Sequence, residues 1–268
     1  MKRYIARIGI LFVLACLIST PAAAASQGKK RAIQRPPESG DDGAAAVKFI
    51  RPSGLIPSFP EAAACQSVAS PFGSSTRYDG SARPDDRYGG LHGGMDLSLN
   101  TGTPLRAIAA GTIIHAGIGG QAEGTYLWLQ LAPKDTGLPF WVYAKYQHLA
   151  DLPKHAVSTI VQAGQIVGLS GKTGTTGGHY GSAGYPHLHL TAFAGPSERY
   201  EIEGSRVRAE GSRIIDPVAI YVPNLASIDE IGHLRDDRKT VPIPFATDDG
   251  SIHPAGSRLV WPVGCKPR

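Results

Sequence analysis

Nine histidines stand at 92, 115, 148, 155, 179, 187, 189, 233 and 253, and the spacing of a few of them carries chemistry. In His187-Leu188-His189 the two imidazoles lie on one face of a strand, about 6.6 Å apart along it. Such a pair is either a ligand with a catalytic neighbour or two ligands. His92-Gly93-Gly94-Met95-Asp96 shares only its length with the His-Glu-x-x-His helix of many zinc proteases. Two consecutive glycines disfavour a helix and the general-base Glu is absent, so that class is rejected. A loop running into a strand fits better, with Asp96 at the strand entrance. His92 and Asp96, joined by one histidine of the 187/189 pair, give two imidazoles and one carboxylate with an open fourth position, a donor set that catalytic zinc accepts. The same set also holds Fe(II) in oxygenases, so the residues alone leave the metal open. Tyr146-Gln147-His148-Leu149 adds a histidine at the end of an apolar, aromatic run. Taken alone, it is a partly buried histidine bonded to a backbone carbonyl. Tyr146 is a second-shell candidate and equally a packing residue. His115, His155, His233 and His253 fit no spacing and are assigned to surface or packing.

The elements that must carry these residues are short. Thr103–Ile108, Thr112–Ile114, Tyr126–Leu131, Phe140–Tyr146, Gln165–Leu169 and Leu188–Phe193 are rich in β-branched and aromatic residues and are bounded by Gly, Pro and Asp. That is the pattern of an antiparallel sheet protein. No long amphipathic helix is legible. The expected class is all-β: a compact antiparallel sheet or sandwich core, with an extended N-terminal arm and a loop-rich C-terminal tail. With 33 Gly and 21 Pro in 268 residues and no three-residue period, collagen is excluded. A hydrophobic fraction of 42% and 18% charged residues exclude a disordered chain.

Lys2, Arg3 and Arg7 precede an apolar run, Ile8 to Ile18, and alanines follow to Ala25. This is the order of a secretory signal peptide over residues 1–25, with Ala23-Ala24-Ala25 as the cleavage site. Eleven apolar residues are too few to span about 30 Å of hydrocarbon, so no stable membrane insertion is expected after cleavage. An uncleaved anchor, or lipidation at Cys16, is the alternative. The formal charge of +5 falls to +2 without these residues, 24 cations against 22 acids, which gives no support for nucleic-acid binding. Export leaves Cys65 and Cys265 as an even pair in an oxidising compartment, and a bridge between them is expected. The pair favours the periplasm, with secretion or membrane anchoring as the alternative. Residues 26–64 lack a period of 2 or 3.6 and are expected to be a linker or arm, either a passive tether or a cover for the groove. The folded domain is expected over 65–223 and an extension packing on it over 224–268. Ser170-Gly171-Lys172-Thr173 imitates the end of a phosphate-binding loop, but Ile166 stands where the first glycine is needed and no helix follows, so that reading is rejected.

In combination the motifs are specific. Ser70-Pro71-Phe72-Gly73, His92-x-x-x-Asp96, Thr103-Pro104-Leu105-x-Ala107 with Gly111-Thr112-Ile113, Tyr146-x-His148-Leu149, Gly164-Gln165-x-x-Gly168 and Pro186-His187-Leu188-His189 occur in one order. Over residues 68–220 or so the chain resembles the LytM/lysostaphin-type zinc metallopeptidases, which cut peptide cross-links in bacterial cell walls. The resemblance implies a groove lined by loops, Zn2+ held by His92, Asp96 and His189, and two further active-site histidines, His148 and His187. It implies peptidoglycan peptides as substrate. The alternative is an inactive relative that binds and activates another cell-wall hydrolase. Two departures stand out. Leu190 and Thr191 follow the last ligand where the family commonly has an aromatic and an acidic residue. The Gly-rich stretch Gly171–Gly184, with His179 and Tyr180, is longer than usual and is expected to form a rim of the groove that influences substrate choice.

Overall fold

The computed structural model describes residues 50–85, 88–176 and 184–268. The proposed signal peptide, the first part of the arm, and His179 and Tyr180 lie outside the described residues. Among the described residues no helix is long and apolar enough to cross a membrane.

The expected all-β class holds. Seven strands form one sheet, and every pairing in it is antiparallel. The strand His187–Gly195 lies against Trp141–Leu149 from His189 to Gly195. Its other edge is shared: Met95–Ser98 pairs with His187–Leu190, and Arg213–Ile215 pairs with Ala192–Ala194. Beyond Trp141–Leu149 come Thr125–Leu131, Gly111–Ile118 and Ile160–Val161 in turn. The period of two sorts the side chains between the two faces. Leu188, Leu190, Ala192, Val142, Ala144 and Tyr146 turn to the main core. His187, His189, Thr191, Tyr143, Lys145 and Gln147 take the opposite face, where Tyr126, Trp128 and Tyr143 pack with Val207 of the hairpin Tyr200–Glu203/Arg206–Ala209. Lys145 is buried there, paired with Glu123 and lying over the Tyr126 and Trp128 rings.

Tyr146 belongs to the core side. It is fully buried, donates its hydroxyl to the Arg106 carbonyl at 3.0 Å and accepts the Ile108 amide at 3.1 Å. It is therefore a packing residue that pins the strand around Arg106, and its place behind the sheet keeps it from the histidines in front.

The ordered structure starts earlier than the expected arm boundary. Ile56–Ser58 pairs in parallel with Thr240–Pro242, Leu55 enters the core, and Phe59 meets the Trp261 ring edge-on at 5.4 Å. The strand is three residues long, contains Pro57 and finds its partner far along the chain, so no local period announces it. The C-terminal residues pack on the domain: Val241, Ile243, Phe245, Trp261 and Val263 are all buried. Cys65 and Cys265 form a disulfide with Cα atoms 4.4 Å apart, closing a loop of 200 residues. In the chain-entropy picture such a loop is worth about 5 kcal/mol at most.

Asp216 is a buried carboxylate directly after the strand Arg213–Ile215. It accepts the Val218 amide at 2.8 Å, capping the 3-10 turn Pro217–Tyr221, and the Ser53 hydroxyl donates to it. Burial raises its pKa to about 6, against the partial relief of those two bonds. A raised carboxyl binds its proton more tightly folded than unfolded, so this group's stabilisation is present at pH 4 and lost as pH rises through 6. Asp216→Asn keeps the cap and removes the charge. The variant should match the native protein near pH 4 and exceed it by about 2–3 kcal/mol at pH 7. Chemical denaturation at both pH values tests this, and an offset independent of pH would refute it.

Candidate metal centre

Strand register builds the site. His189 stands directly opposite Asp96 on one side and Gln147 on the other, and His187 stands opposite Ser98. Asp96 and His189 thus meet as cross-strand neighbours on one face. His92 arrives from the loop before Met95, held by Gly73 N–H donating to the His92 carbonyl and His92 N–H to the Ser74 carbonyl. Gly94 permits the loop to close down: a Cβ there would lie 2.4 Å from the Leu190 carbonyl oxygen and 2.8 Å from His189 Nε2.

His148 reaches the site by a bulge. The register between Thr125–Leu131 and Trp141–Leu149 shifts so that Thr125 faces Leu149 and Tyr126 faces Gln147, leaving His148 unpaired. Its φ of +64° is in the left-handed region, which costs a non-glycine residue about 1–2 kcal/mol. The bulge redirects the side chain to the histidine face, with its ring 4.5 Å from His187 and 6.0 Å from His189. All five histidine and aspartate positions expected at the site are brought together. His115, His155 and His253 lie elsewhere: His115 bonds the Gly204 carbonyl and Tyr126, His155 the Ile166 carbonyl, and His253 stacks on Phe245.

The hydrogen bonds set the tautomers. His92 Nδ1 faces the Pro71 carbonyl at 3.0 Å, so it carries the proton and Nε2 presents a lone pair. His92 Nε2, His189 Nδ1 and Asp96 Oδ1 form a triangle with sides of 3.0, 2.8 and 3.2 Å. One proton on His189 Nδ1 serves two of these contacts at most, and the His92–Asp96 contact still opposes two lone pairs. A cation satisfies all three atoms at once, so the donor set fits a metal ion. The far side of each donor residue is tied as metal ligands require. Beside the Pro71 bond, Ser70 Oγ lies 3.4 Å from His92 Nδ1. Thr191 Oγ1 sits 3.0 Å from His189 Nε2. Arg83 donates to Asp96 Oδ2 at 3.4 Å and to Ser70 Oγ at 2.8 Å.

His148 Nδ1 donates to the Thr173 carbonyl at 2.8 Å, and His187 Nδ1 to the Tyr185 carbonyl at 3.0 Å. Both rings therefore turn an unprotonated Nε2 away from those carbonyls, His187 Nε2 standing 3.7 Å from Asp96 Oδ1. Burial, reinforced by the neighbouring imidazoles, pushes the His148 pKa down to about 3 and lowers that of His187. Both are neutral at pH 7. Burial alone would raise the Asp96 carboxyl, but the imidazoles around it hold it well below the usual carboxylate range. Tyr185 stacks on His187, centroids 4.2 Å apart and planes 13° apart.

Arg83 and Tyr185 escaped the sequence reading. Arg83 lies in a loop 13 residues before Asp96, where no period points at it. Tyr185 left a usable signal: it stands two residues before His187, directly before Pro186. Thr191 left another, since two residues beyond His189 is the same strand face.

Residues 90–198 match the model of Peptidase family M23. Lysostaphin of Staphylococcus simulans is 39% identical over 102 residues, which are 38% of this chain and 18% of lysostaphin. Glycyl-glycine endopeptidase ALE-1 of Staphylococcus capitis is 40% identical over 102 residues, 38% of this chain and 24% of that protein. The chain thus spans less than a quarter of the length of either relative. The solved catalytic domain of lysostaphin from Staphylococcus simulans shares 29% identity, covering 48% of this chain and 80% of that one, with a TM-score of 0.37. The LytM/lysostaphin-type resemblance therefore stands on sequence.

Two substitutions test the construction of the centre. Gly94→Ala must displace either the Leu190 carbonyl or His189, so affinity for a divalent metal should fall about tenfold while the fold survives. Arg83→Ala frees Asp96 Oδ2 and Ser70 and should weaken zinc binding about 10- to 100-fold. Competition with a chelating dye measures both, and native affinity in either variant refutes the corresponding role.

Proposed function

We propose that the protein is a zinc-dependent endopeptidase that hydrolyses peptide bonds in the stem or cross-link peptides of bacterial peptidoglycan. The observation that carries this reading is the convergence of His92 Nε2, Asp96 Oδ1 and His189 Nδ1 on one face, with the neutral His148 and His187 rings beside them. In the proposal His92, Asp96 and His189 hold the metal. Bound zinc supplies Lewis acidity and brings the pKa of water toward about 7. His148 and His187, both neutral and both with Nε2 available, provide proton acceptors for the attacking water. Once one ring has taken that proton, it is an N–H donor for the oxygen of the scissile carbonyl or for the leaving amine. The Thr173 and Tyr185 carbonyls hold the rings in the required tautomer, and Tyr185 fixes the plane of His187. The names of the relatives, lysostaphin and glycyl-glycine endopeptidase, support a peptide bond as the target.

The proposal includes export to the periplasm by the signal peptide 1–25. The basic, apolar and alanine-rich order of that segment supports it, as does the Cys65–Cys265 bridge, which belongs in an oxidising compartment.

Digestion of defined muropeptides by the mature protein, followed by mass spectrometry, tests the activity. Asp96→Ala and His189→Ala should each abolish zinc binding and cleavage. His148→Ala should retain zinc and lower the rate by a factor of about 10² or more. Zinc bound without turnover of any muropeptide would favour the regulatory relative. A His148→Ala variant cleaving at the native rate would remove that ring from catalysis.

A further inference from the structure

A groove of about 670 Å³ opens at the end of the histidine strand, where Tyr185 and Pro186 form part of its lining. Its floor continues the site: Ser98, also in the lining, is the cross-strand partner of His187 and shares a strand face with Asp96. One step along the ladder, about 6.6 Å, thus separates the groove from the metal centre. The far wall is built by the C-terminal residues, Val263 to Arg268.

That wall is firmly held. Lys266–Pro267 pairs antiparallel with Ala63–Ala64, the Arg268 amide donates to the Ala62 carbonyl at 2.9 Å, and Cys265 is bridged to Cys65. Strand alternation places Lys266 and Arg268 on the same side, about 6.6 Å apart along the chain. Both line the groove, both are exposed, and neither takes part in an ion pair among the described residues. The described lining contains these two cationic side chains and no Asp or Glu side chain. Asp248 approaches Gly264, but the Arg106 guanidinium approaches the same glycine and offsets it. Two unpaired cations on a rigid strand beside a hydrolytic site form a receptor for an anion that extends from the scissile bond.

We propose that this groove binds the carboxylate-bearing part of the substrate peptide, with Lys266 and Arg268 reading its carboxylates. The inference rests on the endopeptidase reading and deepens it: the preferred substrate is an acidic stem peptide in place of a neutral glycine bridge. Lys266 and Arg268 are specificity determinants remote from the reacting atoms.

The test compares three synthetic probes: a stem peptide with the free α-carboxylate of its D-glutamate, the same peptide amidated there, and pentaglycine. Equilibrium binding is measured by calorimetry with the full zinc-loaded protein carrying His148→Ala, so that cleavage does not intervene, and with that protein further changed to Lys266→Ala/Arg268→Ala. The double change should weaken the free-carboxylate peptide about tenfold and leave the amidated peptide and pentaglycine unchanged. Lys266→Arg/Arg268→Lys should restore binding, which a merely structural role would not predict. Equal affinity for free and amidated peptides, or equal losses for both in the double variant, overturns the proposal. Retained melting temperature and disulfide certify the fold of each variant. Cleavage of the same probes by the native protein separates the two claims. Cleavage without carboxylate discrimination sinks the groove and keeps the endopeptidase, whereas discrimination in binding without cleavage does the reverse.

Discussion

Three electron-rich atoms from His92, Asp96 and His189 are held within 3.2 Å of one another on a largely buried sheet face. That arrangement is unfavourable unless positive charge enters it, and most of the surrounding structure reads as the means of enforcing it. The Met95–Ser98 strand exists to set Asp96 opposite His189. Gly94 brings the preceding loop against the sheet, and the Ser70–Ser74 segment fixes that loop from outside through backbone bonds on both sides of His92. Pro71, Arg83 and Thr191 occupy the remaining polar atoms of the three residues, so none can rotate away to solvent. These bonds hold the three donor atoms where one cation meets all of them.

A second constraint operates at His148. A residue in an unbroken strand cannot leave its alternating face, and His148 would then share the core side with Tyr146. The bulge breaks the alternation, and the strained backbone is the local cost. The His148 and His187 rings draw their tautomers from carbonyls at the two ends of the Gly-rich stretch, Thr173 inside its start and Tyr185 just past its end. The two ends of that stretch therefore hold the histidine rings through their main chain, independently of their side chains.

These distinctions explain what the sequence could disclose. Histidines two apart in a strand, or four residues from an aspartate across two glycines, leave a signal because covalent spacing fixes their geometry. The sheet was legible for the same reason: its long central strands alternate or run apolar between Gly and Pro. Tyr146 and His148 could not be assigned to faces, because the alternation that would place them is interrupted between them. Ile56–Ser58 was hidden because its partner lies at Thr240–Pro242 and its prolines resemble those of a linker. Arg83 acts across a loop closure that no local pattern encodes.

The pairing of residues 62–64 with 266–268, beside a bridge that joins Cys65 to Cys265, has a consequence for biogenesis. A growing chain presents Cys65 some 200 residues ahead of its mate. During that interval the thiol is open to any oxidant and any other cysteine it meets, and the backbone groups at 62–64 lack their strand partner. The bridge and the strand pairing both wait for residues 265–268. The chain holds no nearer cysteine beyond Cys65 with which to pair wrongly.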